Sequence, residues 1–121
     1  MIDTAKALYQ FWSSFDLPAY VENDVPDWAK LPYITYEVAK PDGLEQIPYF
    51  ARVWYRSSSY VEIATKADEI EARIKGGCSI PFEDGCMVLY KESAFIQFQS
   101  FEDDDDVKVA YLSMLLNVYK N

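Results

Sequence analysis

The sequence predicts an α+β fold: a single antiparallel sheet of four to five strands with two helices packed on one face, in the order α-β-β-α-β-β-β. Three observations lead there. Two segments repeat their apolar residues at helical spacing, each with a single stripe. The remaining segments are rich in β-branched and aromatic residues that alternate across two faces. Turn and cap signals separate the two kinds. A one-striped helix needs a surface to cover it, and an alternating strand has one apolar face, so one sheet face is expected to serve both helices. At 121 residues the chain is expected to form one domain, residues 1–121.

The first helix is read in "DTAKALYQFWSSF", where Ala5, Leu8, Trp12 and Phe15 share a face and Pro18 ends the segment. An irregular acidic stretch, "VENDVPDWAK", follows. "LPYITYEVA", Leu31 to Ala39, is the first strand, with Pro32 tolerable only at a strand start or edge. The turn "KPDG", Lys40 to Gly43, leads towards "IPYFARVWYRS", in which Tyr49, Ala51, Val53 and Tyr55 alternate with Phe50, Arg52, Trp54 and Arg56. These two strands are expected to form a long antiparallel hairpin.

The second helix is the best defined. Ser59 and Glu62 fit a capping box, Tyr60, Ile63, Ala67, Ile70 and Ile74 form the stripe, and Gly76-Gly77 supply a left-handed stop. Glu62 with Lys66, Glu69 with Arg73 and Glu71 with Lys75 predict three i,i+4 ion pairs on a solvated face, about 0.2 to 0.5 kcal/mol each. Cys78 and Cys86 flank "SIPFEDG" and are read as two free thiols near a turn. Beyond Gly85, "CMVLYK" and "AFIQFQSF" are expected to form a second hairpin around Glu92 and Ser93. Val107 to Lys120 suits a strand face through Val107, Val109, Tyr111 and Leu115, and a helix through Leu112, Leu115, Leu116 and Tyr119; the strand is favoured.

Composition excludes several functions. Half of the residues are hydrophobic, too many for disorder. A net charge of −9 with no clustering of Lys and Arg argues against gripping nucleic-acid phosphates. No signal segment or membrane-length apolar run is present, so the chain is expected to be intracellular and away from membranes. With no histidine, no nucleophile-elbow motif and no phosphate-cradling glycine loop, it is not expected to be an enzyme, nor to hold a cofactor. The run Asp103, Asp104, Asp105 and Asp106 lacks the alternation, central glycine and closing glutamate of a calcium loop, so no metal is expected, and a solvated turn is the simplest reading.

The element order, with "LPYITYEV", "VWYRSSSYVEIATKADEIEARIKGG", "GCMVLYKESAFIQFQ" and the aspartate turn before a last apolar segment, resembles the tail-terminator (tail-completion) family of long-tailed bacteriophages and prophages from about Leu31 onward. One departure is Ala94, where such proteins are expected to carry a proline before Phe95. The resemblance implies a structural protein that caps the tail tube as a ring, typically a hexamer, ends tube polymerisation and offers the surface on which the head docks. Its partners would be further copies of itself, the tail-tube protein and a head-side connector. Its location would be the host cytoplasm during assembly and then the head-proximal end of the virion tail. Interface positions expected on this basis are Tyr33, Tyr36, Tyr49, Trp54 and Phe95, and Asp103 to Asp106 would face the lumen or the rim. Alternatives are another head-tail connector or an acidic DNA-mimic inhibitor.

Overall fold

The computed structural model describes residues 3–39 and 46–120. The elements are α1 (Thr4–Ser13), β1 (Ala19–Val21), β2 (Tyr33–Tyr36), β3 (Ile47–Arg56), α2 (Val61–Ile74), β4 (Cys78–Phe82), β5 (Gly85–Phe101) and β6 (Asp104–Lys120). The six strands form one sheet in the order β1-β2-β3-β6-β5-β4. The α+β class and the single sheet match expectation, and the strand number exceeds it. The expected turn at Lys40 to Gly43 lies outside the described residues.

At the centre, β3 and β6 pair antiparallel from Ile47 opposite Leu116 to Arg56 opposite Val107. The alternation read in β3 holds: Tyr49, Ala51, Val53 and Tyr55 are buried on one face. Leu112, Met114 and Leu116 of β6 join them, and the last segment is a strand. Both helices pack on this face. Trp12 and Leu8 from α1 and Phe15 from the turn after it, with Ile63, Ile70 and Ile74 from α2, belong to the same buried cluster. Trp12 lies beside Tyr36 and Tyr49, with ring centroids 6.5 and 6.4 Å away, and its indole N–H donates to the Tyr49 hydroxyl at 3.0 Å. That hydroxyl donates in turn to the Glu37 carbonyl at 2.6 Å, so a buried polar chain ties α1 to the sheet.

Several local expectations are corrected. The first strand shortens to Tyr33–Tyr36, and its pairing with β3 spans only four positions, Tyr33 opposite Trp54 to Tyr36 opposite Ala51. The acidic stretch that follows β1 instead supplies the crossover that lets Ala19–Val21 pair parallel to β2. "SIPFEDG" is no loop: Cys78–Phe82 forms an edge strand whose Pro81 is tolerated there, and Glu83-Asp84 make the turn into β5. Cys78 opposes Leu89 on the core side while Cys86 opposes Pro81 on the other, so the two thiols point to opposite faces.

The expected turn at Glu92 and Ser93 is absent. β6 is long enough to template one continuous β5, and from Lys91 opposite Met114 to Ile96 opposite Leu112 β5 advances five residues while β6 advances two. The three extra residues form a bulge at which Ala94 stays exposed and Phe95 enters the core.

On α2 the helix stop holds, since Gly76 and Gly77 have φ of +81° and +102°. The capping box does not: Tyr60 occupies the cap position without a side-chain bond, and Ser59 Oγ accepts only a long 3.4 Å contact from the Val61 N–H. None of the three predicted i,i+4 pairs forms. Lys66 donates to the Phe15 carbonyl at 2.8 Å and to Glu69 at 3.1 Å, Glu71 accepts from Lys91 at 3.0 Å, and Arg73 lies over the rings of Phe11 and Phe15. Packing offers these charged side chains partners on α1, the turn after it and β5 that the isolated helix lacks.

Replacing Tyr49 by Phe is expected to destabilise the fold by about 1 to 3 kcal/mol in urea unfolding, because Trp12 and Glu37 each lose a buried partner. Burial, opposed by the Trp12 bond and reinforced by Tyr36 and Glu37, holds the Tyr49 hydroxyl far above the ordinary tyrosine range. A raised folded value stabilises below the unfolded pKa of about 10 and is lost as pH rises beyond it. The native protein is therefore expected to lose more stability than Tyr49→Phe between about pH 9.5 and 11.

Candidate assembly surface

The sheet face opposite the helices carries a row of aromatic rings. Tyr20 on β1, Tyr33 on β2, Trp54 on β3 and Phe101 at the end of β5 follow one another at centroid distances of 5.5, 6.3 and 6.4 Å. Trp28, from the β1–β2 crossover, packs edge-on against Tyr20 at 6.3 Å and remains 74% exposed. Alternation explains the row: the residues of β3 that cannot face the core are Phe50, Arg52, Trp54 and Arg56, and their neighbours across the sheet share that side. Trp54 is oriented by its indole N–H, which donates to Thr35 Oγ1 at 3.0 Å. Arg52 pairs with Glu22 at 2.7 Å and lies 5.0 Å from the Tyr111 ring. Burial first, then Tyr20 and Glu22, raises the Tyr33 hydroxyl pKa.

Of the five expected interface residues, only Tyr33 and Trp54 belong to this face. Tyr36, Tyr49 and Phe95 lie in the chain's own core and present no free surface, because each sits on the helix-facing side of its strand or bulge. The sequence reading missed Tyr20, Trp28 and Phe101. The usable signal for Trp28 was its place between acidic residues and proline, where no regular strand or helix could bury it.

The aspartates sit at the far end of the β5–β6 hairpin. The turn itself is Glu102-Asp103, and Asp104 to Asp106 begin β6, which corrects the reading of all four as turn. Asp104 accepts from Arg56 at 2.8 Å and from the Asp106 N–H at 3.0 Å, and the Asp106 carbonyl accepts from the Ser57 N–H at 2.7 Å. Lys108, buried, donates to the Asp105 carbonyl and to Ser100 Oγ and lies 5.1 Å from the Tyr60 ring. The run is thus clamped by backbone and cations, while the carboxylates of Asp103, Asp105 and Asp106 have no cationic partner among the described residues. Among those residues no three His, Cys, Asp or Glu side chains are placed to hold a metal ion. Two open clefts of about 220 and 230 Å³ fall below the usual size of small-molecule pockets. No described helix is long and apolar enough to cross a membrane.

No protein-family model matches the sequence, and neither does any curated protein. Among solved structures, a chain from the virion of the native gene transfer agent (GTA) particle is similar in fold, with a TM-score of 0.63 at 12% identity, over 88% of this chain and 83% of that one. At that identity the likeness is one of fold.

The Arg56 bond, followed by the Asp106 N–H, holds the Asp104 carboxyl below its ordinary range. A lowered folded value gives stability above the unfolded Asp pKa that is lost as pH falls. Arg56→Gln is expected to move the Asp104 titration midpoint, read by carboxyl NMR, back towards the ordinary value. Asp104→Asn should lower the Tm, whereas Asp103→Asn and Asp105→Asn should leave it unchanged or slightly raised, through relief of like-charge repulsion.

Proposed function

We propose that the chain is a non-enzymatic structural protein of a phage-like particle that closes the tail tube as a ring, ends its polymerisation and offers the head a docking surface. The single observation that carries this reading is the fold likeness to a chain of a virion particle over 88% of the length. The resemblance of the motifs from Leu31 onward supports the tail-terminal assignment in particular. An open sheet face with a row of aromatics suits a protein that meets flat neighbours rather than a small ligand, since such rings give large contact area at low entropy cost. Trp28, Tyr33, Trp54 and Phe101 would lie in contacts with other copies or with the tail-tube protein. Asp103, Asp105 and Asp106 would face the lumen or rim, where unpaired carboxylates repel passing DNA phosphates.

Tail tubes assembled with and without the chain, measured by electron microscopy, test this. Tubes made with it are expected to be uniform in length with extra density at one end, and tubes made without it overlong and variable. Identical length distributions would exclude the capping role. Trp54→Ala and Trp28→Ala are expected to weaken capping while leaving the far-UV spectrum unchanged.

A further inference from the structure

Among the described residues the longest free backbone edge of the sheet is on β5. One side of β5 pairs with β6 to the end of the strand, but β4 covers the other side only from Gly85 to Leu89. From Tyr90 to Phe101 that side has no backbone partner among the described residues. Such an edge templates addition of another strand unless charge, proline or brevity blunts it. Lys91, Glu92 and the bulge blunt the near end, but beyond the bulge Ile96 to Phe101, "IQFQSF", contains neither a charged residue nor a proline. Among the described residues the other edge stretches are short or carry proline, including Ile47 to Phe50 of β3 beyond β2, which holds Pro48. β1 is three residues long, and β4 is five residues long and carries Pro81.

We propose that this edge is covered by the same edge of a second copy, paired antiparallel about a two-fold axis near Phe98. The argument for a second copy is length and charge. Among the described residues no other edge of the chain matches the stretch from Ile96 to Phe101. Two chains of net charge −9 repel, and a stretch without charge is where they approach at least cost. Antiparallel pairing about Phe98 also carries Lys91 of each copy towards the Glu102–Asp106 end of the other. Gln97 and Gln99 then meet across the seam on one sheet face, where amides bond to each other. On the other face Phe98, 41% exposed and already 5.9 Å from the Tyr60 ring, meets its own counterpart. An isologous contact of this kind pairs and stops. It is distinct from ring closure, which requires two different patches, and it gives free chains a way to keep an aggregation-prone edge covered.

The axis near Phe98 provides a specific test, because a residue at a two-fold faces itself. Sedimentation velocity of the full chain over a range of concentrations is expected to show a monomer–dimer equilibrium. Phe98→Lys and Phe98→Glu, each folded by circular dichroism, are expected to weaken self-association by about tenfold or more, since like charges then face each other. An equal mixture of the two variants is expected to recover the dimer. A native chain that stays monomeric at every concentration would overturn the proposal. So would variants that dimerise as the native chain does, or a mixture of folded variants that remains monomeric. Ser57 bonding to Asp106 sets the ladder so that Gln97 bonds to β6 and Phe98 faces the free edge, so Phe98→Pro, which removes an edge-facing N–H without adding charge, is a second disruptor expected to weaken the dimer. Tube capping is scored separately, so failure of the seam and failure of the ring reading are told apart.

Discussion

The structure depends on the pairing of β3 with β6, two strands separated in sequence by α2 and the β4–β5 hairpin. Ten register pairs join them, and every other strand attaches to one or the other: β2 and then β1 on the β3 side, β5 and then β4 on the β6 side. Because side chains alternate along a strand, fixing this register decides at once which residues face the helices. A slip by one residue would send Tyr49, Ala51 and Val53 to the open face and Phe50, Arg52 and Trp54 into the core. The second set includes a guanidinium that would have no buried partner.

The same register divides the aromatic residues into two groups with different jobs. On the helix side Trp12, Tyr36, Tyr49 and Phe15 close a core whose polar atoms are satisfied internally through Glu37. On the other side Tyr20, Tyr33, Trp54 and Phe101 form a shallow second layer with no helix over it among the described residues, and Trp28 packs on Tyr20 at one end. The first group is a matter of stability, and in the proposed ring the second is a matter of assembly. The aspartate run belongs with neither. Arg56, Lys108 and Ser57 hold its backbone and one carboxylate in place, so a strongly charged hairpin end is fixed in position rather than left loose.

The features legible in the sequence were those set by local periodicity. The β3 alternation, the Gly76-Gly77 stop, the strand at Val107 to Lys120 and most of the helix stripes follow from spacing, and the sheet class follows from them; in α1 the buried positions are Ala7 and Phe11 where Ala5 was expected, and Tyr60 stands exposed ahead of α2. What stayed hidden was set by pairing across the sheet. β1 has three residues, too few for a period. β4 contains Pro81, which speaks against a strand unless its edge position is known. Glu92-Ser93 carries turn chemistry, yet β6 holds both flanks in line and converts the turn into a bulge. Tyr36, Tyr49 and Phe95 were expected at an interface and lie in the core, because the sequence does not reveal how much surface two helices must cover. The ion pairs on α2 failed for the related reason that α1 and β5 compete for Lys66, Arg73 and Glu71.

The most direct test of the central role of the β3–β6 pairing is native-state hydrogen exchange as a function of denaturant. Amides of Ala51 to Val53 and Ala110 to Leu112, in strands flanked on both sides, are predicted to exchange only through global unfolding. Those of β1 and of the far end of β5 should open locally at lower free energy. Exchange of the β3 and β6 amides through a partial opening that leaves α1, β1 and β2 protected would contradict the account.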